Sequence, residues 1–277
     1  MKINLFTQSR EDTFLRRMSG VAKLVCFLLL TFTVMLSYDI RVIAFTIILS
    51  FVMFHISKVT WRQIRVIACI LLLFLLLNAL FTFLLAPEQG VKIYGSRHEI
   101  FHIAGRYTLT QEQLLYMSSK LLKYVAVAPL GLIFFLCTDP SELAASLNGI
   151  GMPYKGAYAV SLTLRYFPDL QRDYNNISMS QQARGLEMSK KAGFASRVKN
   201  ALAIIVPLIF STLERIEVIS NAMDLRAFGK HKKRTWYSAR KISRQDILAI
   251  AVTALIFAVS LYITFFINHS RFYDPFA

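Results

Sequence analysis

Read from its N-terminus, the chain alternates between long apolar runs and short polar joins. Val21–Tyr38, Val42–Ile56, Ile64–Leu85, Leu114–Cys137 and Ile247–Ile267 carry few charges, and about 20 apolar residues suffice for a helix to cross a bilayer. Val42–Ile56 is short for that purpose, and Asp39 and Arg41 leave only a tight turn before it. A backbone in lipid has to satisfy its own polar groups, so the first two runs are expected to form a helical hairpin. Arg16, Arg17 and Lys23 precede or open the first run. No small-residue cleavage site follows and further runs come directly after, so this segment is expected to be retained and not cleaved as a signal peptide.

Between the fourth and fifth runs the pattern changes from continuous to periodic. Asp139 and Pro140 suit the N-cap and first residue of a short helix through Leu147, and Gly149, Gly151 and Pro153 break it. A long helix is predicted from about Gly156 toward Arg184. Val160, Leu164, Phe167, Leu170, Tyr174 and Ile177 recur at spacings of three and four and form one face. Asp169, Arg172, Asp173 and Asn175 lie on the other, and Pro168 is expected to bend the helix. A second long helix is predicted from about Arg197 to Phe228, with Leu202, Ile205, Ile209, Ile216, Ile219 and Met223 as its stripe. Its most apolar part, Ala201–Phe210, contains Pro207 and is too short to span, so burial in the protein or at the membrane interface is expected.

Composition agrees with a membrane chain: of 277 residues, 55% are hydrophobic. The formal charge of +16 raises the question of nucleic acid, but basic residues collect in cytoplasmic loops of membrane proteins. The join after the second run has Lys58, Arg62 and Arg65 and no acid; Pro87–Glu112 is balanced. The main excess, including Lys230, Lys232, Lys233, Arg234, Arg240, Lys241 and Arg244, lies between Thr138 and Arg244. This asymmetry predicts a cytoplasmic N-terminus, an external 87–112 loop, a cytoplasmic 138–244 segment and an external C-terminus. Nucleic acid is not expected as a partner, and anionic lipid suits the 230–244 cluster better. Cys26, Cys69 and Cys137 fall in or at the ends of apolar runs and read as small buried hydrophobes.

The two long helices end alike. The first closes on Gln182-Ala183-Arg184-Gly185, the second on Met223-Asp224-Leu225-Arg226-Ala227-Phe228-Gly229. Arg184 follows Ile177, and Arg226 follows Ile219, by seven residues, nearly two helical turns. Gly185 and Gly229 suit left-handed C-caps, and the macrodipole favours a cation there by about 0.3–1 kcal/mol. Each arginine could therefore be a helix terminator only. His98-Glu99-Ile100-Phe101-His102 fits the H-E-x-x-H zinc-protease pattern. Gly95 and Gly105 flank it closely, however, and alternation around Ile100, Phe101 and Ile103 allows at best a short hairpin or interfacial loop. There is no G-x-x-x-x-G-K-[ST] phosphate loop and no G-x-S-x-G elbow. No enzyme activity, cofactor or metal site is expected. Asn78 in the third run suggests a helix–helix hydrogen bond.

With these features in order, the chain resembles the transmembrane T component of energy-coupling factor (ECF) transporters, the family that includes cobalt-transport membrane subunits. Ala183-Arg184-Gly185 matches the first of that family's two Ala-Arg-Gly motifs, and Leu225-Arg226-Ala227 matches the second only at its arginine. Thr138-Asp139-Pro140, Gly151-Met152-Pro153 and Leu164-Arg165-Tyr166-Phe167-Pro168 are also similar to family segments, as are Asn78-Ala79-Leu80-Phe81 and Tyr107-Thr108-Leu109-Thr110. The resemblance implies an all-α polytopic membrane protein, with about five transmembrane helices and a cytoplasmic coupling domain of long crossed helices. Residues 1–137 would hold four spans, 138–244 the coupling domain, and 245–277 the last span and an external C-terminus. It implies docking of two ATPase subunits through Ala183, Arg184, Gly185, Arg226, Ala227 and Gly229, and a small membrane subunit that captures a vitamin or transition-metal ion. The setting would be a prokaryotic cell membrane. An intramembrane zinc metalloprotease and a scaffold without a transport role are the alternatives.

Overall fold

The computed structural model describes residues 14–58, 61–104, 107–186, 193–231, 235–268 and 272. Lys232, Lys233 and Arg234 of the basic cluster lie outside them. The described residues are overwhelmingly helical. Helices α1 (Phe14–Arg17), α2 (Gly20–Leu36), α3 (Ile40–Ile56), α4 (Trp61–Leu85) and α5 (Gln89–Tyr94) lead to a hairpin of β1 (Glu99–Ala104) and β2 (Tyr107–Thr110). Then follow α6 (Gln111–Cys137), α7 (Pro140–Gly149), α8 (Tyr154–Ala183), α9 (Phe194–Leu225) and α10 (Arg244–Tyr262), the last continued by a π-helical turn, Ile263–Ile267. By length and composition, Arg65–Leu85, Gln111–Cys137 and Arg244–Ile267 can each cross a membrane. The apolar α2 and α3 are shorter, at 17 residues, the low end of what a span requires. The chain is thus an all-α polytopic membrane protein with one small hairpin.

The chain divides into two compact units, Met1–Asp139 with Arg240–Ala277, and Pro140–Ala239. In the first, helix starts are set by polar side chains. Asp39 accepts from the Arg41 N–H at 2.9 Å and Thr110 from the Gln113 N–H at 3.2 Å. Ser243 and Asp246 form a capping box on α10, and Asp246 also accepts from the Ser19 N–H at 3.1 Å, joining the starts of α2 and α10. The core lies around Leu15, Met18, Ala22, Ile133 and Cys137 at one end, and around Val34, Ile43 and Ala126 at the other. The consecutive pair α2 and α3 is not chiefly a mutual hairpin: α2 packs mostly on α10, and α3 on α6. The apolar side chains of α4 remain largely exposed, Ile70, Leu72 and Leu76 among them, as expected where lipid replaces water as the solvent. Cys69 is exposed on this helix, unlike buried Cys26 and Cys137.

The predicted bond from Asn78 is also relocated. Thr82 Oγ1 donates to Asn78 Oδ1 at 3.5 Å within α4, while Lys120 Nζ reaches Thr82 Oγ1 at 2.8 Å from α6. Lys123 donates to the Met35 carbonyl at 3.1 Å and lies over the Tyr38 ring. Both intramembrane lysines thus hold polar or aromatic partners, as buried cations require.

In the second unit α8 packs on both α7 and α9. Asp173 of α8 and Arg215 of α9 form an ion pair at 2.5 Å, largely shielded from solvent. The sequence stripe on α9 is turned mostly outward. Leu202, Ile205, Ile209 and Ile216 are exposed, Ile219 and Met223 half-buried, and Ile204 is fully buried. Ala201–Phe210 is therefore only partly buried within the chain. On α8 the stripe divides: Val160, Leu164, Leu170 and Ile177 are half-buried, Phe167 and Tyr174 exposed.

Candidate functional site

The tips of α8 and α9 share one backbone geometry. At the end of α8, Arg184 is the C-cap, with φ −85° and ψ 11°. Gly185 turns left-handed at φ 88°. The Gly185 N–H donates to the Gln182 carbonyl at 2.9 Å, and the Leu186 N–H to the Gln181 carbonyl at 3.1 Å. These are the two bonds of a Schellman motif. At the end of α9, Arg226 is the C-cap, with φ −87° and ψ 14°. The Ala227 N–H donates to the Asp224 carbonyl and the Phe228 N–H to the Met223 carbonyl, each at 2.9 Å. The same motif is therefore built twice, with an exposed arginine at the same position each time.

The predicted role of Gly229 is corrected by this geometry. The left-handed C′ residue of α9 is Ala227, at φ 53°. Gly229 is left-handed too, at φ 96°, but it stands two residues farther along. A Schellman turn counts from the last helical bond, so the glycine nearest in sequence does not choose the position. Alanine there costs roughly 1–2 kcal/mol, and surrounding contacts hold it. Phe228 packs on Tyr158 and Tyr154, with ring centroids 4.8 and 5.6 Å apart. Trp236 Nε1 then donates to Asn148 Oδ1 at 3.0 Å, and Ser238 Oγ to the Ser141 carbonyl at 3.1 Å. The segment after α9 thereby returns onto α7 and the start of α8. Sequence reasoning assigned no role to Tyr154, Tyr158 or Trp236; a tryptophan beside a basic run was the available signal.

The two helices are also matched in length beyond their contact. Arg184 stands eleven residues past Asp173, and Arg226 eleven past Arg215, so each arginine is about 16 Å along its helix from the ion pair. Two arms of equal reach thus each end in a planar cation, a group whose hydrogen-bond geometry pairs with carboxylates.

The H-E-x-x-H match falls elsewhere. Its central residues lie on β1, paired antiparallel with β2, so its histidines lack the helical spacing that aims two side chains at one metal. His98 Nδ1 instead meets Glu112 Oε1 at 2.7 Å, and the His98 N–H and Ser96 Oγ also donate to that buried carboxylate. Gln113 adds bonds to the Gly90 N–H and the Ala86 carbonyl. His98 therefore fastens the hairpin to the start of α6.

The family model for cobalt transport proteins, CbiQ, matches residues 11–237. The chain belongs to this family of membrane transport components. It is similar to the energy-coupling factor transporter transmembrane protein EcfT of Staphylococcus aureus, 29% identical over 146 residues, covering 50% of this chain and 53% of that one. The EcfT of Limosilactobacillus fermentum is 27% identical over 144 residues, covering 49% and 54%. That of Leuconostoc gelidum is 27% identical over 207 residues, covering 72% and 71%. The chain spans about half the length of the first two of these relatives.

Proposed function

We propose that this chain is the transmembrane coupling subunit of an ATP-driven ECF-type importer. In this role it catalyses nothing. It passes conformational work from two ATPase subunits to a small membrane subunit that captures a vitamin or a transition-metal ion. The carrying observation is the pair of identical arginine-capped turns at the ends of α8 and α9, in a chain of the cobalt transport family. The names of its relatives support the same class.

Ala183, Arg184 and Gly185 dock one ATPase subunit, and Arg226, Ala227 and Gly229 the other. A guanidinium holds a carboxylate through parallel hydrogen bonds in a fixed orientation. Movement of an ATPase groove then drags the helix as a rod. The ion pair between Asp173 and Arg215 links the rods about two-thirds of the way along each. The outward face of α9, with Leu202, Ile205, Ile209 and Phe210, offers apolar area to the membrane-embedded partner. The N-terminus and the 138–244 segment are cytoplasmic, in a cell membrane, on the charge asymmetry of the loops.

Mass spectrometry of the complex purified from native membranes in mild detergent tests the assignment. Two ATPase chains, identical or related, and a small membrane protein are expected with it. Recovery of the chain with no ATPase would overturn the proposal.

A further inference from the structure

The first unit contains a cavity of about 520 Å³ where α2 and α10 begin and α3 and α6 end. Phe27, Leu30, Met53, Ile133, Leu248 and Val252 are among the apolar residues of its wall. Its size is in the range of ligand pockets, roughly 300–1,000 Å³. Two of the polar groups in the wall, Thr253 and Lys23, are bonded to the protein. Thr253 Oγ1 donates to the Ala249 carbonyl at 2.8 Å, and Lys23 Nζ to the Cys137 carbonyl at 3.0 Å. Water in such a space would lack the two to four partners it needs. The cavity is not enclosed, and two of the helices around it, α6 and α10, are long and apolar enough to lie in hydrocarbon.

Basic residues outnumber acidic ones around it. Leu15 and Met18 of the wall bracket Arg16 and Arg17, and Lys23 lines the wall itself. Gln245 of the wall follows Arg244 directly. Arg240 Nη1 donates to the Arg16 carbonyl at 2.6 Å, which brings a further guanidinium to this end. Of the carboxylates there, Asp246 is buried and engaged by the Ser19 and Ser243 N–H groups, and Asp139, two residues past Cys137 of the wall, is exposed. An apolar slot beside a cluster of cations has the chemistry of a phospholipid: chain in the slot, phosphate at the rim.

We propose that this cavity holds an acyl chain of an anionic phospholipid, whose headgroup is bound by Arg16, Arg17, Arg240 and Arg244. No residue of the arginine-tipped helices lines this cavity, and the proposal goes beyond the coupling role. It fixes the lipid to the leaflet on the basic side of the protein, where the surface charge of the bilayer also attracts these residues. Bound lipid completes the packing between α2 and α10, which a void would leave without dispersion partners.

The experiment uses the purified complex, stripped of lipid in detergent and supplied with equal amounts of palmitoyl-oleoyl phosphatidylglycerol and phosphatidylcholine. Retained lipid is counted by native mass spectrometry. Wild type should keep phosphatidylglycerol over phosphatidylcholine by about tenfold or more, given the attraction of several basic residues. Arg17→Gln with Arg244→Gln should bring the ratio toward one, and Ala249→Phe, which fills the slot, should reduce retention of both lipids. Equal retention of the two lipids by wild type would overturn the proposal, as would phosphatidylglycerol retention unaltered by Ala249→Phe. A photoactivatable residue at Val252 that crosslinks to a partner subunit and not to lipid would do the same. Arg17 and Arg244 are exposed, so their double variant decides the matter even where Ala249→Phe fails to fold.

Discussion

Ala227 holds a left-handed backbone, φ 53°, that Gly185 holds in the other tip at φ 88°. Glycine has no Cβ to strain there, so Ala227→Gly should stabilise the protein by about 0.5–1 kcal/mol, after the loss to greater freedom in the unfolded chain. Chemical unfolding in detergent checks the sign; a loss of stability would mean that Ala227 makes a contact worth more than its strain. The arginines before these residues separate two magnitudes. A C-terminal cation helps its own helix by about 0.3–1 kcal/mol, whereas truncating one partner of a desolvated charge pair costs about 2–5 kcal/mol. Arg184→Ala should therefore weaken ATPase binding at least tenfold while altering unfolding little, and Arg184→Lys should restore it only in part, since lysine lacks the planar fork. Binding unchanged in Arg184→Ala would reduce that residue to a cap. At this scale the arginines were legible because their residue type and spacing recur. The role of Ala227 was not, because a left-handed position is fixed by hydrogen-bond count, and glycines nearby draw the eye instead.

Between elements, the ion pair of α8 with α9 and the aromatic cluster around Phe228 and Tyr158 carry the geometry of the second unit. Asp173 and Arg215 are a quarter to a third exposed, so the pair lies between surface and buried cases, about 1–2 kcal/mol. Asp173→Asn should lower both stability and transport, and the exchange Asp173→Arg with Arg215→Asp should recover much of each. Failure of the exchange, with each single variant tolerated, would show that the pair does not link the helices. In the first unit, a Cβ on Gly90 would come within 2.5 Å of backbone atoms of Glu112 and Gln113. Gly90→Ala should accordingly detach α5 and the hairpin from α6 and make the 87–112 segment sensitive to added protease; resistance equal to wild type would contradict this. Helix positions were readable from periodicity and caps, within a few residues at each end. The facing of α9 was not. Leu202, Ile205, Ile209 and Ile216 form a true stripe, yet in the isolated chain it faces outward. Periodicity marks a face that is to be covered and does not say by what. In a membrane subunit, lipid or another chain covers it as readily as the protein itself.

For the molecule as a whole, five apolar helices and a basic excess in one segment set the arrangement across the membrane. The apolar runs were legible because each is long and continuous. The sparse packing of α4 was not, since a lipid-facing helix and a core helix have the same composition. The proposed topology, read from charge asymmetry, has the hairpin outside and the return segment inside. With Cys26, Cys69 and Cys137 replaced by serine, a cysteine at exposed Arg97 should react with an impermeant thiol reagent on intact cells, and one at exposed Tyr237 only after lysis. The reverse pattern would invert the topology. The coupling role itself is tested most directly by reversing both charges at once, Arg184→Glu with Arg226→Glu. Two acidic tips facing acidic grooves should abolish pull-down of both ATPase subunits and ATP-dependent uptake, while the chain still folds and inserts. Assembly and uptake at wild-type levels in that double variant would contradict the assignment.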